Sequence, residues 1–219
     1  MKRSGRYILA SSALALALGT GGAALAQQHT AHDAKTALPS VQVAQTAMAL
    51  RDLWTGHVFW VRNVVEETMA GHADAAKTAD SQVVVNAKQI AAAIEPFYGK
   101  AASDKLFSLL AGHYGAVKQY LDATMANSKA KQDAAVKSLT DNAGEIASFL
   151  ASANPNLPAD TLRGLLVAHG GHHIQQIQQL HAKQYAQEAQ TWETMKNHMY
   201  VIADTLAGAL AKQFPDKFK

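Results

Sequence analysis

A helical pattern that recurs three times at intervals of 56 residues constrains the fold of this chain more than any other feature of its sequence. Two polar positions follow this interval and carry His57, His113 and His169 in one case, and Asn86, Asn142 and His198 in the other. Apolar positions around them keep the same spacing, as Leu50, Leu106 and Leu162 do. Self-similarity at a fixed period of this length is typical of a repeated supersecondary unit.

Each copy of the pattern contains two amphipathic stretches. In the first copy, apolar residues recur at steps of three and four from Leu50 to Met69 and again from Val83 to Ile94, which favours helices. Segments with proline or glycine, at 95–99 and 153–158, end the first two copies. We therefore predict an all-α fold: a helical bundle of three repeated antiparallel hairpins, with six main helices, over residues 45–219.

The N-terminal segment at 1–26 has the pattern of a secretory signal peptide. Three basic residues precede an apolar run at 8–18, and Ala24-Leu25-Ala26 supplies small residues at a cleavage site. The run is shorter than the roughly 20 residues of a membrane-spanning helix, so we expect no stable membrane insertion. We predict export to the periplasm or the exterior, with a flexible lead-in at 27–44 before the helical domain.

Charge and cysteine content exclude several classes of function. The predicted signal peptide holds three of the 20 basic residues and none of the 17 acidic ones, so the remaining chain has 17 of each and no basic footprint for nucleic acid. The absence of cysteine excludes disulfides, thiolate metal sites, covalent c-type haem and cysteine nucleophiles.

The repeated histidines are the candidate functional residues, because each interrupts an apolar helix stripe. If the three hairpins pack around a pseudo-threefold axis, His57, His113 and His169 converge, and three neutral imidazoles suit zinc or copper. Such ligands should lie within roughly 4 Å of one another. The equivalent set of Asn86, Asn142 and His198 can orient the rings as a second shell, and His198 can add a ligand. The alternative is a purely structural buried His–Asn network.

Two further patterns point to metal. His173 lies four residues after His169, a spacing that lets one helix face supply two ligands. At the far end of the stripe, a soft-ligand layer that suits copper is predicted at the equivalent positions Met69, Met125 and His181, although methionine is also a common core residue.

A separate site is predicted at the N-terminus that cleavage after Ala26 would expose. Gln27-Gln28-His29 then offers an amine, two amides and an imidazole, the square-planar nitrogen set of Cu(II) or Ni(II).

Enzyme motifs are poorly represented, which favours binding over catalysis. The chain lacks the Glu-x-x-His pairs of di-iron bundles, the His-Glu-x-x-His pattern of zinc proteases and phosphate-binding loops. We therefore predict an extracytoplasmic copper- or zinc-binding protein for storage, delivery or sensing. The alternatives are a structural or interaction bundle, a noncovalent haem protein, which needs a wide apolar slot, and an enzyme.

Several segments also carry a family resemblance. They are 53–62, 86–99, 153–155, 198–210 and 213–215. Together they resemble a poorly characterised bacterial family of small histidine-bearing helical proteins, some of whose members are labelled glycosyltransferases. This chain has no nucleotide-binding pattern to match that label. The resemblance supports the register of the repeated His and Asn positions and implies no role for them.

Overall fold

The computed structural model describes residues 40–219, and the regular elements of this part of the chain are all helical. The α-helices are α1 (Val41–Ala70), α2 (Ala73–Ala92), α3 (Glu95–Tyr98), α4 (Lys100–Met125), α5 (Lys129–Ala153), α6 (Ala159–His181) and α7 (Tyr185–Gln213), and a 3-10 helix follows at Pro215–Phe218. The predicted all-α helical bundle is confirmed. The predicted signal peptide and residues 27–39 of the lead-in lie outside the described residues.

The first helix begins earlier than the sequence pattern suggests, because Ser40 caps it. The Ser40 hydroxyl accepts a hydrogen bond from the amide of Val43 at 3.3 Å, which satisfies one of the free N–H groups of the first turn. The same hydroxyl donates to the carbonyl of Phe218 at 2.9 Å. The start of the domain is thus joined to its end, and residues 41–44 of the predicted lead-in are helical.

The six long helices pack side by side as a closed ring. Helix α1 packs on α2, α4 on α5 and α6 on α7, while α2 contacts α4, α5 contacts α6 and α7 returns to α1. Helix α6 also contacts α1 and α4. The three helices that carry the repeated histidines therefore approach one another. None of the described helices is both long and apolar enough to cross a membrane.

Two apolar clusters fill the bundle, and the repeated histidines lie at the level between them. On α1, Trp54 and Val58 belong to the first cluster, whereas Val61 and Val65 belong to the second. On α4 and α6 the division falls at His113 and at His169, so it lies about one turn earlier there than on α1. Burial of these side chains supplies the main stabilisation of the fold, and the division between them produces a polar layer inside the bundle.

A hydrogen bond between neighbouring helices recurs at the level of each repeated histidine. Asn86 donates to the carbonyl of Leu53 at 3.0 Å, Asn142 to that of Leu109 at 3.1 Å, and His198 to that of Leu165 at 2.8 Å. Each carbonyl belongs to the residue four positions before a histidine. It is thus the acceptor of that histidine's own helical amide. These bonds hold the helical turn that precedes each repeated histidine against the neighbouring helix.

The asparagines need a glycine opposite them. A Cβ atom at Gly56 would lie 3.0 Å from Nδ2 of Asn86, which its bond to Leu53 holds in place. We expect Gly56→Ala to lower the free energy of unfolding by about 1 kcal/mol, because the crowding outweighs the gain in helix propensity. Denaturant unfolding measures the change.

Gly115→Ala is the matched control. A Cβ atom there meets no described atom within 4 Å, so this variant should gain about 0.5–1 kcal/mol from its lower unfolded-state entropy. Equal stabilisation by the two substitutions would show that the close approach of Asn86 is unimportant.

Candidate metal centre

Four buried histidines from three helices meet at the level between the two apolar clusters. They are His57 of α1, His113 of α4 and His169 and His173 of α6, with exposed fractions of 6%, 3%, 1% and 1%. One nitrogen from each ring lies within 4.8 Å of the others. Helix α6 supplies two rings because residues four apart lie on one helix face, and the Nε2 atoms of this pair are 3.2 Å apart.

Most of the ring nitrogens in this cluster have no hydrogen-bond partner among residues 40–219. The unpartnered atoms are Nε2 of His57, both nitrogens of His113, and Nδ1 of His169 and of His173. A buried polar atom without a partner costs about 1–3 kcal/mol. Among the described residues, these nitrogens are therefore available to a ligand.

The four imidazoles are held neutral by their surroundings. Burial lowers the pKa of His57 from 6.5 to about 3, with a smaller effect of His113. Burial also lowers the pKa of His113 to about 4, in spite of the opposing Asn142 carboxamide. Burial and the neighbouring rings also lower the pKa values of His169 and His173. Neutral imidazole is the form that binds metal.

The spacing of the nitrogens fits a four-coordinate ion after a small adjustment. Ligands at about 2.0–2.1 Å from a tetrahedral zinc ion lie about 3.3 Å from one another. The His169–His173 pair, at 3.2 Å, already has this separation. The four nitrogens lie within 4.8 Å of one another, which is a wider spacing than the 4 Å expected from the sequence. Ring rotations that move nitrogens by about 1 Å would close it.

An aromatic ring and apolar side chains bound the cluster on one side. The Trp54 ring meets His57 and His169 edge-on, with centroids 6.1 and 6.5 Å apart. Beyond Trp54, apolar side chains that include Leu50 and Ile146 line a cavity of about 40 Å³. An apolar surrounding of this kind excludes water and strengthens electrostatic interactions within the cluster.

A buried ion pair lies on the opposite side. Gln176, three residues after His173, donates to the Glu188 carboxylate at 2.8 Å, and Arg62 binds the same carboxylate through Nε at 2.7 Å and Nη2 at 2.9 Å. The bond from Arg62 keeps the pKa of Glu188 low. Arg62 also pairs with Glu66 at 2.9 Å. The set of Arg62, Glu66 and Glu188 thus carries one net negative charge.

The repeat pattern gave no indication of this ion pair. The positions equivalent to Glu188 hold Gln132 and Ala76, so the carboxylate is unique to the third copy. The one available signal was Gln176, a polar residue on the same helix face as His169 and His173.

The predicted second shell is arranged differently from expectation. Asn86 and Asn142 donate to the backbone carbonyls of Leu53 and Leu109, and the Asn142 carboxamide also interacts with the His113 ring, whose pKa it raises against the effect of burial. His198 does the same through Nε2 and does not join the four converging histidines. Their role is to position the helices that carry the rings.

The predicted soft-ligand layer does not form in the structure. Met69 is partly buried against the second apolar cluster, but Met125 is 42% exposed and His181 is exposed as well. These positions lie at or near helix ends, where side chains reach solvent and cannot converge. His29, of the predicted N-terminal site, lies outside the described residues.

Comparison of the chain with protein-family models, with curated proteins and with solved structures finds no match. The interpretation of the cluster therefore rests on its geometry and chemistry.

The buried histidines predict a specific pH dependence of stability. Their pKa is lower in the folded chain than in the unfolded one, so the unfolded chain binds more protons between pH about 6.5 and about 4. Their contribution is fully present above pH 6.5 and is lost as the pH falls. In this window each ring should remove about 1 kcal/mol per pH unit from the free energy of unfolding of the metal-free protein.

Urea unfolding at several pH values measures this dependence. His113→Leu should reduce the slope because it removes one of the titrating rings. His181→Ala, at an exposed position, should leave the slope unchanged. An equal slope in both variants and the parent protein would contradict the burial of neutral rings.

Proposed function

We propose that this protein binds one copper or zinc ion through His57, His113, His169 and His173. The observation that carries the proposal is the convergence of four buried, neutral imidazoles whose nitrogens largely lack partners among the described residues. Imidazole is a common ligand of zinc and copper, and a bound ion would replace the contact between the Nε2 atoms of His169 and His173 and bind nitrogens of His57 and His113 that have no partner among the described residues.

The closed ligand set favours retention of the ion over catalysis. Catalytic zinc sites keep one position open for water or substrate, whereas here four side chains from the protein surround the centre. We propose storage, delivery or sensing as the role, in a protein exported by its N-terminal segment at 1–26. The apolar cavity of about 40 Å³ is far smaller than the pockets that hold ligands the size of haem.

The charge of the ligand set bears on the choice of metal. Four neutral imidazoles leave the ion its full charge in a buried setting, which is costly. Cu(I) carries less charge than Zn²⁺ and therefore costs less to bury among neutral imidazoles. Charge thus favours Cu(I), while a tetrahedral nitrogen set also suits zinc.

We also propose that the three helix pairs are copies of one hairpin. The Asn86, Asn142 and His198 hydrogen bonds, each to a carbonyl 33 residues earlier, support this view. Superposition of the three pairs in the register that aligns His57, His113 and His169 tests it, and pairs that fail to superpose would contradict it.

Substitution of one ligand by an apolar residue separates the metal site from a structural network. We expect His113→Leu to lose the tightly bound ion. Without metal, the variant should have a free energy of unfolding about 1 kcal/mol higher than that of the metal-free parent, because two unpartnered nitrogens are removed from the core. Elemental analysis measures the bound ion, and denaturant unfolding measures stability.

Two exposed histidines supply the controls. His72→Ala and His181→Ala should each retain one ion per chain, because these residues lie away from the cluster. If His113→Leu keeps its ion, or if it loses stability without any change in metal content, the cluster is structural and the proposed function is wrong.

Tryptophan fluorescence reports where copper binds. Because Trp54 lies against His57 and His169, Cu(II) in the cluster should quench its emission, whereas zinc should not. Trp54→Phe should then lose most of the quenching. Full quenching in this variant would place the copper elsewhere, for example at the predicted N-terminal site with His29.

A further inference from the structure

A second pair of histidines lies beside the buried cluster and nearer the surface. His172 of α6 and His198 of α7 are both partly buried, and their rings meet edge-on with centroids 5.3 Å apart. Neither belongs to the four converging histidines. Two imidazoles at this separation can share one ion if their nitrogens approach within about 4 Å.

The His198 ring is oriented as a metal ligand usually is. Its Nε2 lies 2.8 Å from the carbonyl of Leu165, and a carbonyl only accepts, so Nε2 carries the proton. Nδ1 is therefore left with a free lone pair. Histidine ligands commonly hold their other nitrogen on a backbone carbonyl in this way, which fixes both the tautomer and the ring orientation.

This pair is a feature of the third copy alone. The positions equivalent to His198 carry Asn86 and Asn142, which make the same helix-joining bond without a ring nitrogen. The positions equivalent to His172 carry Trp60 and Ala116. The joining of helices thus explains a hydrogen-bonding side chain at position 198, but it does not explain two imidazoles.

The pair is also close to the buried centre. His172 directly precedes His173 in α6, and His198 bonds the turn that leads to His169.

We propose that His172 and His198 form a loading site that captures the metal ion at the surface and passes it to His169 and His173. The inference rests on the proposed function, because it concerns the route to the same centre. Two ligands bind an ion more weakly than four, so the ion held by the pair would move on to the buried set.

The loading rate of the metal-free full-length protein tests this role. We would mix it with Zn²⁺ or with Cu(I) and follow uptake in a stopped-flow instrument, with a chromophoric chelator as the competitor. One variant is His172→Ala. The other is the double substitution Ala168→Gly and His198→Asn, which reproduces the arrangement of Gly56 with Asn86 and of Gly112 with Asn142. The bond to Leu165 is thereby kept.

Both variants should load about tenfold more slowly, because the pair no longer raises the local concentration of the ion. Each should still bind one ion per chain at equilibrium with unchanged affinity. His181→Ala, at an exposed position outside the pair, should load at the parent rate.

The outcomes separate the two proposals. Parent rates in both variants would overturn the loading site and leave the proposed function intact. Loss of equilibrium binding in the variants would make these residues ligands rather than a loading site, and would also overturn the inference. A parent protein that binds no metal would overturn the proposed function itself, and the loading site with it.

Discussion

The polar layer of four imidazoles is the constraint on which the rest of this structure depends. The rings of His57, His113, His169 and His173 are almost fully buried, yet five of their nitrogens have no partner in the described part of the chain. Such a layer weakens the fold, since each unpartnered atom costs free energy. The apolar clusters on either side must offset this, and the inter-helix bonds of Asn86 and its equivalents hold the layer in place.

Neutrality of the rings links the packing to the chemistry. The apolar side chains that exclude water around the layer also lower the pKa of the histidines, so the lone pairs that a metal needs are available at neutral pH. The same surroundings make a bound cation costly. Gln176, on the histidine face of α6, binds Glu188, and the set of Arg62, Glu66 and Glu188 carries one net negative charge.

The sequence predicted the bundle, the burial of the three repeated histidines and the shared helix face of His169 and His173, because helical periodicity determines which positions share a face. It did not predict which groups accept hydrogen bonds from Asn86 and Asn142. That choice depends on sub-ångström distances between helices, and Gly56 allows the amide to reach a carbonyl. Nor did it predict the Arg62–Glu188 pair, which joins residues 126 apart without any repeated counterpart.

The fourth histidine of the cluster occupies a position at which the predicted repeat is broken. Three equivalent residues around an axis supply three ligands, and a fourth must come from a position that differs between the copies. In α1 and α4 the residues four positions after the repeated histidine are Val61 and Val117, both buried in the second apolar cluster. In α6 that position holds His173, and its nitrogen lies 3.2 Å from that of His169. One substitution in one copy therefore places the fourth imidazole over the other three. The proposed loading pair, His172 of α6 and His198 of α7, departs from the predicted repeat in the same part of the chain.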